Sequence, residues 1–375
     1  VRAGNRGTVA RRARGFPMIR FMDGNEAVVE GALAAGCDFF AGYPITPATS
    51  ILTGMIRNLP ASGGLAVQAE DEIAAMGFCI GAVMAGRKAL TATSGPGISL
   101  CSENIGLAIA GETPLVIVDV QRQGPATGSA TMGAQGDVQF VRWVTSGGYP
   151  TIALAPTSAE DCLRLTHRAF ELSERYRVPV FLMLDKEIGL TRERVDLAIL
   201  EGMRPVERRT APTDRPFLPY DFDRPEEVPP MSCFGGPHIL RYTTSMHDKT
   251  GYLTKERDKI AEMMHHLEAK ILDALPDFAE VRVEGPADAA AAVLAYGNTA
   301  RSACEAGRRA AHAGASLRVV IPVTLWPLPE AALREAIGDA RRIVVAEQNL
   351  GEYVREVRRL FPDRDVRLVR RVDGR

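Results

Sequence analysis

The chain has 375 residues, 46% of them hydrophobic, and its Lys plus Arg count of 45 nearly balances an Asp plus Glu count of 46, which leaves a net charge of -1. A chain of this length can bury a sizeable core and is expected to divide into more than one domain. The sequence has no basic stripe interleaved with aromatic residues and no uninterrupted apolar run of membrane-spanning length, so neither nucleic acid nor a membrane is an expected partner.

Residues 1–17 contain five arginines and no acid. Such a composition occurs in transit peptides as well as in disordered tails, but no apolar signal segment accompanies it. We expect a disordered tail or an over-extended start, with the first domain beginning at Met18.

Residues 18–200 alternate short apolar runs with helix-like stretches, which predicts a parallel α/β domain. The predicted strands are Asp38–Ala41, Leu65–Ala69, Ala89–Thr93, Leu115–Val120, Thr151–Leu154 and Pro179–Leu184. The predicted helices are Asn25–Ala35, Thr49–Asn58, Asp71–Ala85, Ile98–Ala110 and Ala159–Tyr176. Because the strands are continuously apolar, both faces of the sheet should be covered.

The Gly-Tyr-Pro-Ile-Thr-Pro segment at 42–47 follows the first predicted strand of this domain. Thr46 beside Pro47 has an ordinary explanation as a helix N-cap with proline at the first helical position. A functional role is the alternative, because loops beyond the carboxyl ends of parallel strands are where α/β sheets bind ligands.

Three consecutive acids, Glu70, Asp71 and Glu72, precede the helix predicted at 71–85. Acids in a first helical turn complement the helix dipole and cap free N–H groups, which is the default explanation. The helix behind them is apolar all round, so we expect it to be buried and to carry at least one carboxylate into a dry environment.

Two further segments follow strands. Ser94-Gly95-Pro96-Gly97 leads from a strand into a helix and has the backbone freedom to cradle an anion, but it lacks the third glycine of a dinucleotide fingerprint and the lysine of a P-loop. Arg122 follows the strand at 115–120 and is either a solvated charge or a clamp for a substrate carboxylate.

Residues 201–285 form a predicted proline-rich connector with one helix at Lys255–Leu275, whose apolar stripe runs through Ile260, Met264, Leu267, Ile271 and Leu275. A smaller α/β domain is predicted over residues 286–375. Its predicted elements are Val293–Tyr296, Thr299–Ala313, Leu317–Ile321, Glu330–Ile337 and Ile343–Ala346, which alternate strand and helix.

The cysteines predict neither a zinc knuckle nor iron-sulfur ligation in this chain, because none of them forms a C-x-x-C pair. The histidines have no metal-ligand spacing, so we predict no metal site and no catalytic histidine. Cysteines in apolar surroundings are typical of a reducing compartment, which favours the cytoplasm. The six cysteines are Cys37, Cys79, Cys101, Cys162, Cys233 and Cys304.

Taken in order, these segments resemble the alpha subunit of 2-oxoacid:ferredoxin oxidoreductases, and among them the 2-oxoglutarate branch most. The resemblance covers nearly everything from Met18 onward. The segments that carry it are Gly-Tyr-Pro-Ile-Thr-Pro at 42–47, Gln-Ala-Glu-Asp-Glu at 68–72, Thr-Ser-Gly-Pro-Gly at 93–97, Gln-Arg-Gln-Gly-Pro-Ala-Thr-Gly at 121–128, Ala-Gln-Gly-Asp at 134–137, Leu-Trp-Pro at 325–327 and Glu-Gln-Asn-Leu-Gly at 347–351.

The resemblance implies a first domain that binds the aminopyrimidine of thiamine diphosphate and a smaller, transketolase-C-terminal-like second domain. It places the activating glutamate at Glu72, whose hydrogen bond to the pyrimidine N1′ favours the imino form that takes the proton from thiazolium C2. It also places substrate contacts at Thr46 and Arg122. The cofactor-binding residues that it implies are Tyr43, Pro44, Ile45, Glu72, Ser94 and Gly95.

The same resemblance implies a partner. The sequence has no Gly-Asp-Gly with a downstream Asn to hold Mg²⁺ and the diphosphate, and no cysteine set for a [4Fe-4S] cluster. A beta subunit is therefore expected to supply both, in an (αβ)₂ assembly that reacts with a 2-oxo acid, coenzyme A and ferredoxin.

Alternatives remain open from the sequence. The same chemistry on pyruvate or on branched-chain 2-oxo acids is one, and a non-catalytic nucleotide-binding α/β protein is another. The loop that offers Thr131, Met132 and Gln135, with Arg142 nearby, does not reveal which cation, if any, receives a second substrate carboxylate.

Overall fold

The computed structural model describes residues 18–214, 216–243 and 245–374. The expected basic tail over residues 1–17 lies outside the described residues. The strands are β1 (Ile19–Met22), β2 (Phe39–Gly42), β3 (Leu65–Gln68), β4 (Ala89–Thr93), β5 (Leu115–Gln121), β6 (Ile152–Leu154), β7 (Pro179–Asp185), β8 (Glu193–Asp196), β9 (Val281–Glu284), β10 (Ala291–Ala295), β11 (Arg318–Pro322), β12 (Thr324–Trp326), β13 (Arg342–Glu347) and β14 (Asp365–Arg370).

Helices connect most of these strands, as the alternating pattern predicts. They are α1 (Gly24–Ala34), α2 (Thr49–Asn58), α3 (Glu72–Met84), α4 (Gly95–Ala110), α5 (Val138–Arg142), α6 (Ala159–Tyr176), α7 (Lys186–Leu190), α8 (Ile199–Gly202), α9 (Arg257–Leu272), α10 (Leu275–Phe278), α11 (Gly297–His312), α12 (Glu330–Ile337) and α13 (Tyr353–Leu360). Helix α4 begins at Gly95 rather than at the predicted Ile98, because Gly-Pro-Gly forms its first turn, where a proline is tolerated.

The larger sheet has the strand order β12-β6-β7-β5-β4-β2-β3. Its pairings are parallel except at the edge, where β12 runs antiparallel to β6. Every residue of β4, β5 and β7 is buried, since helices cover both faces. The prediction of a parallel α/β domain is confirmed.

The smaller sheet has the order β14-β13-β10-β11-β9. Strand β9 is antiparallel to β11 and the other pairings are parallel. This confirms the second α/β unit, with two differences in extent. Strand β9 falls within the predicted connector, and β12 leaves the C-terminal unit to join the larger sheet, so the chain crosses between the two sheets.

The described residues of the connector between α8 and α9 lie mostly outside helices and strands. The predicted apolar stripe of α9 is wrong at Met264, which is exposed. The buried face runs instead through Met263, His266, Leu267, Lys270 and Ile271. The two polar members of that face are buried because they reach Glu112, so hydrophobicity alone does not define the face.

Helix α3 is the other correction. We expected it to be buried all round, but Ile73 is 48% exposed and Phe78 is 49% exposed, while Met76, Cys79 and Val83 are buried. The sheet and α4 cover only one side of α3, which leaves an apolar face open beside the acids that begin the helix. No helix in the described part of the chain is long and apolar enough to span a bilayer.

Candidate active site

The loops of interest lie at one edge of the larger sheet. Strands β2, β4 and β5 are mutually parallel and in register, with Phe40 opposite Leu90 and Thr93 opposite Asp119. The carboxyl ends of parallel strands meet at the same sheet edge, and that edge is where such sheets bind ligands. The segments that follow these three strands are therefore neighbours in space.

Glu72 is the one buried member of the acidic triplet. It is 6% exposed, whereas Glu70 and Asp71 are exposed. Asp71 is the N-cap of α3 and accepts a 2.7 Å hydrogen bond from the Ala74 backbone N–H. The capping explanation therefore holds for Asp71, and Glu72 carries its carboxylate into the protein as expected.

The first turn of α4 forms a wall beside Glu72. A Cβ on Gly97 would lie 2.9 Å from Oε1 of Glu72, so glycine is required there for the two elements to approach. The Cys101 thiol, one turn further along α4, donates to the Glu72 carbonyl oxygen at 3.2 Å. These contacts fix the glutamate against the start of the helix.

The turn itself offers an unused polar group. Ser94 is fully buried and, among the described residues, its Oγ has no hydrogen-bond partner. A Cβ on Gly95 would meet the Asp137 carboxylate at 2.6 Å, so this position also needs glycine. A buried carboxylate, an unpaired hydroxyl and a glycine turn at a helix N-terminus fit a polar heterocycle such as an aminopyrimidine.

The loop after β2 holds Thr46 outside any helix. Helix α2 begins at Thr49 with Ala48 as its N-cap, so the N-cap explanation for Thr46 is wrong. The Thr46-Pro47 peptide is cis, and the Pro47 carbonyl accepts a 2.9 Å hydrogen bond from the buried Asn25 side chain. The sequence analysis missed Asn25, a polar residue in an otherwise apolar helix face.

The residues just before Thr46 lie at the open side of the loop. Tyr43 and Pro44 are exposed, and Ile45 is half-buried against the core beneath the sheet. Thr46 is also exposed. The four residues therefore form a rim, and the described contacts do not bring their side chains onto Glu72.

Arg122 is 7% exposed, so the explanation as a solvated charge is wrong. Its Nη1 donates a 2.7 Å hydrogen bond to the carbonyl oxygen of Thr46, which joins the two predicted substrate residues. Its Nε is buried and has no partner among the described residues. A guanidinium in this state retains donor capacity for a carboxylate.

Two acids near the loop that holds Arg122 were not singled out from the sequence. Asp119 is fully buried near the end of β5, and Asp137 precedes α5. Burial raises the pKa of Asp137 to about 6, although hydrogen bonding to Asp119 and the positive charge of Arg122 oppose that rise. A lone acid inside an apolar strand was the available signal for Asp119.

The loop from 123 to 137 is tied to the C-terminal unit rather than open to a ligand at every position. Gln135 is fully buried, and its side chain donates to the Tyr296 carbonyl at 3.0 Å and accepts from the Gln348 N–H at 3.0 Å. Arg142 stacks on Trp326 at 4.7 Å and pairs with Glu356. Both side chains are therefore engaged within the chain.

Two family models match this chain. The family model described as pyruvate flavodoxin/ferredoxin oxidoreductase, thiamine diP-bdg, matches residues 30–266, and the model described as pyruvate:ferredoxin oxidoreductase core domain II matches residues 289–375. The 2-oxoglutarate synthase subunit KorA of Methanothermobacter marburgensis is 41% identical over 343 residues, which cover 91% of this chain and 90% of the relative.

Two solved structures are similar to this chain. A 2-oxoglutarate:ferredoxin oxidoreductase from Magnetococcus marinus, solved with 2-oxoglutarate, coenzyme A and succinyl-CoA bound, matches with a TM-score of 0.90 and 31% identity over 95% of this chain. The present chain spans 62% of that solved chain. A split-gene transketolase matches with a TM-score of 0.52 and 13% identity, covering 92% of this chain and 87% of that one, a likeness of fold alone.

Proposed function

This chain belongs to the 2-oxoacid:ferredoxin oxidoreductases as an alpha-type subunit, and we propose that it provides the pyrimidine-binding half of the active site of a 2-oxoglutarate:ferredoxin oxidoreductase. The proposed reaction converts 2-oxoglutarate, coenzyme A and two oxidised ferredoxins to succinyl-CoA, CO₂, two reduced ferredoxins and a proton, and can run in reverse. The observation that carries this proposal is the buried Glu72 held against the glycine turn of α4.

Thiamine diphosphate, when bound, supplies a nucleophilic thiazolium carbon that reacts with the keto carbon of a 2-oxo acid. Glu72 holds a proton at N1′ of the pyrimidine. Ser94 and Gly95 line the ring from the start of α4, and the Tyr43–Ile45 rim closes over it. The unpaired Oγ of Ser94 supports this assignment because a buried hydroxyl needs a partner.

Arg122 binds the carboxylate next to the keto group, and Thr46 contacts the same end of the substrate. The free Nε of Arg122 and its hydrogen bond to the Thr46 backbone support these roles. A charged hydrogen bond to a carboxylate in a dry site both orients the substrate and favours 2-oxo acids over neutral carbonyl compounds.

The remaining machinery belongs to a partner. We propose a beta subunit that binds Mg²⁺ with the cofactor diphosphate and carries a [4Fe-4S] cluster, in an (αβ)₂ complex that reduces ferredoxin. The name of the Methanothermobacter relative, a synthase subunit, supports a multi-subunit enzyme. The six cysteines are all free thiols, which supports a reducing compartment such as the cytoplasm.

Substrate profiling tests this function. The chain is copurified with its beta partner, and coenzyme A-dependent ferredoxin reduction is measured with 2-oxoglutarate, pyruvate and 2-oxoisovalerate. We expect kcat/KM for 2-oxoglutarate to exceed the other two. A preference for pyruvate or 2-oxoisovalerate would change the substrate assignment, and an absence of turnover with all three would contradict the enzyme assignment.

A further inference from the structure

A pair of acids lies beneath the loop that holds Arg122. The side chains of β5 alternate between the faces of the sheet, and Asp119 shares the face of Ile117, on the side of α3 and α4. Asp119 is fully buried, and neither of its carboxylate oxygens has a hydrogen-bond donor among the described residues. Its polar neighbour is the Asp137 carboxyl, which it contacts directly.

Asp137 is held in place from several sides. Its backbone N–H donates to Oε1 of Gln121 at 3.3 Å, and Gly95 leaves room for its carboxylate at the start of α4. The residue as a whole is half-buried, but Oδ2 is buried and has no donor among the described residues. The two carboxyl groups are thus fixed against each other with unfilled hydrogen-bonding capacity on both.

Two carboxylates in contact without other donors do not both ionise, because like charges in a dry site repel strongly. They share one proton, which forms the hydrogen bond between them. Burial and the Asp137 charge raise the pKa of Asp119 well above its usual 3.8. The pair as a unit therefore carries one negative charge near neutral pH.

That single charge lies near Arg122, whose positive charge acts on Asp137. The guanidinium is buried and makes its one described side-chain hydrogen bond to a neutral carbonyl oxygen, so it needs a counter-charge nearby. Asp137 lies within range of the guanidinium charge, which opposes the rise in the pKa of its carboxyl. Ionisation of the second carboxyl would place a further negative charge in the same dry region.

We propose that Asp119 and Asp137 are positioning residues, a proton-sharing pair that balances and orients Arg122 so that it receives the substrate carboxylate. The inference rests on the proposed function. With one shared proton, the pair leaves Arg122 free to bind a second anion. Without that proton, the extra negative charge competes with the substrate for Arg122, so KM rises with pH while kcat changes little.

A further charged group that faces the pair is Glu352, at the start of α13. Burial raises its pKa to about 7, and Asp137 and Glu347 act in the same direction. The first turn of α4 adds Ser94 and backbone N–H groups, which do not titrate. Glu72 also lies against the first turn of α4, but it belongs to the proposed cofactor site. Glu352 is a rival source of a pH-dependent KM outside that site, so it serves as the matched control.

The test measures KM and kcat for 2-oxoglutarate in the intact complex across pH for wild type, Asp119→Asn, Asp137→Asn and Glu352→Gln. Wild-type KM is expected to rise about tenfold as the pH is increased above neutral, where loss of the shared proton adds the second negative charge. In either Asn variant the amide donates the hydrogen bond and the pair can carry no more than one negative charge, so KM should stay within about twofold over the same range. Glu352→Gln should retain the wild-type slope.

Two results overturn the inference. One is an Asn variant that assembles and whose KM rises with pH as steeply as that of the wild type. The other is a KM that no longer changes with pH when Glu352→Gln is the only substitution. If one of the two Asn variants fails to fold, the other is sufficient for the test, because each substitution removes the second ionisation of the pair. If the wild-type complex turns over 2-oxoglutarate but KM of Asp119→Asn rises with pH as in the wild type, only this inference is contradicted. Absence of wild-type turnover would contradict the proposed function and the inference together.

Discussion

At the scale of single residues, neighbouring acids have different environments. Asp71 caps α3, Glu70 is exposed, and Glu72 is buried against α4. The difference arises because the N-cap residue has extended backbone while the next residue is helical, which turns its side chain to the opposite side. Only the residue that enters the sheet edge can hold a proton at a buried ligand.

Glu72→Gln should therefore remove catalysis without removing assembly. Glutamine keeps the size of the side chain but cannot take the proton that a carboxylate takes, so turnover should fall by about 10²- to 10⁴-fold. Hydrogen–deuterium exchange at C2 of the bound cofactor, followed by NMR, should slow in parallel. Both measurements are made on the complex with the partner subunit.

Glu70→Gln is the matched control, since it makes the same chemical change two residues away on an exposed side chain. It should keep near-normal turnover and C2 exchange. Near-normal turnover in Glu72→Gln, or an equal loss in both variants, would remove Glu72 from its assigned role.

The sequence allowed some residues of the candidate site to be predicted and not others. The resemblance identified Glu72, Thr46 and Arg122, and spacing alone left each of them with an ordinary alternative. Burial excluded the solvated-charge explanation for Arg122, and the start of α2 excluded the N-cap explanation for Thr46, while their substrate roles stay predictions. Asp119 and Asn25 were missed because their partners are distant in sequence, and only the fold brings these together.

At the scale of elements, the connector helix α9 is joined to the larger domain by buried charges. Nζ of Lys270 donates to the Glu112 carboxylate at 2.8 Å, and His266 lies 3.2 Å from the same oxygen. All three side chains are buried. Burial alone would raise the pKa of Glu112, but Lys270, Arg177 and His266 together hold it well below 4.5.

Lys270→Met should destabilise the chain by about 3–5 kcal/mol, because it leaves a buried carboxylate without its main partner. Glu112→Gln should cost a similar amount, since it leaves the buried Lys270 ammonium without its carboxylate partner. The loss in unfolding free energy of the double variant should be smaller than the sum of the two single losses by about 0.5–3 kcal/mol. Urea unfolding followed by circular dichroism gives these values, and strict additivity would show that the two side chains act independently.

The pH dependence of the same pair has a defined sign. A carboxyl whose folded pKa is lowered stabilises the protein above its unfolded pKa, near 4.5 for Glu112, and loses that contribution as pH falls through the folded value. The difference in unfolding free energy between wild type and Lys270→Met should therefore be constant near neutral pH and become smaller as the pH falls. A gap that widened on acidification would contradict the assignment.

Among the elements, local patterns predicted the strands that lie inside the larger sheet. Strand β4 coincides with its prediction, and β5 and β7 each extend one residue beyond theirs, because a continuous β-branched run has one stable environment. Strands β12 and β14 and helix α13 were not predicted. β12 pairs with β6 across more than 150 positions of sequence, a contact that no local pattern encodes.

At the scale of the whole molecule, the candidate site is exposed on one side. Glu72 and Ser94 are buried, while Tyr43, Pro44 and Thr46 form an open rim. The exposed apolar face of α3, which carries Ile73 and Phe78, begins beside Glu72 at the start of the same helix. An exposed apolar face beside a polar cleft is typical of a surface that another protein covers.

The isolated chain should therefore bind thiamine diphosphate with negligible affinity. It presents the pyrimidine contacts but no proposed diphosphate or Mg²⁺ ligands, so a calorimetric titration should show no saturation up to about 1 mM, which corresponds to less than about 4 kcal/mol of binding free energy. Addition of the beta subunit with Mg²⁺ should give saturable binding. Glu72→Gln in the same complex should weaken it, whereas Glu70→Gln should not. Tight binding by the isolated chain would favour a self-contained nucleotide-binding protein instead, because a complete ligand site would then lie within one polypeptide.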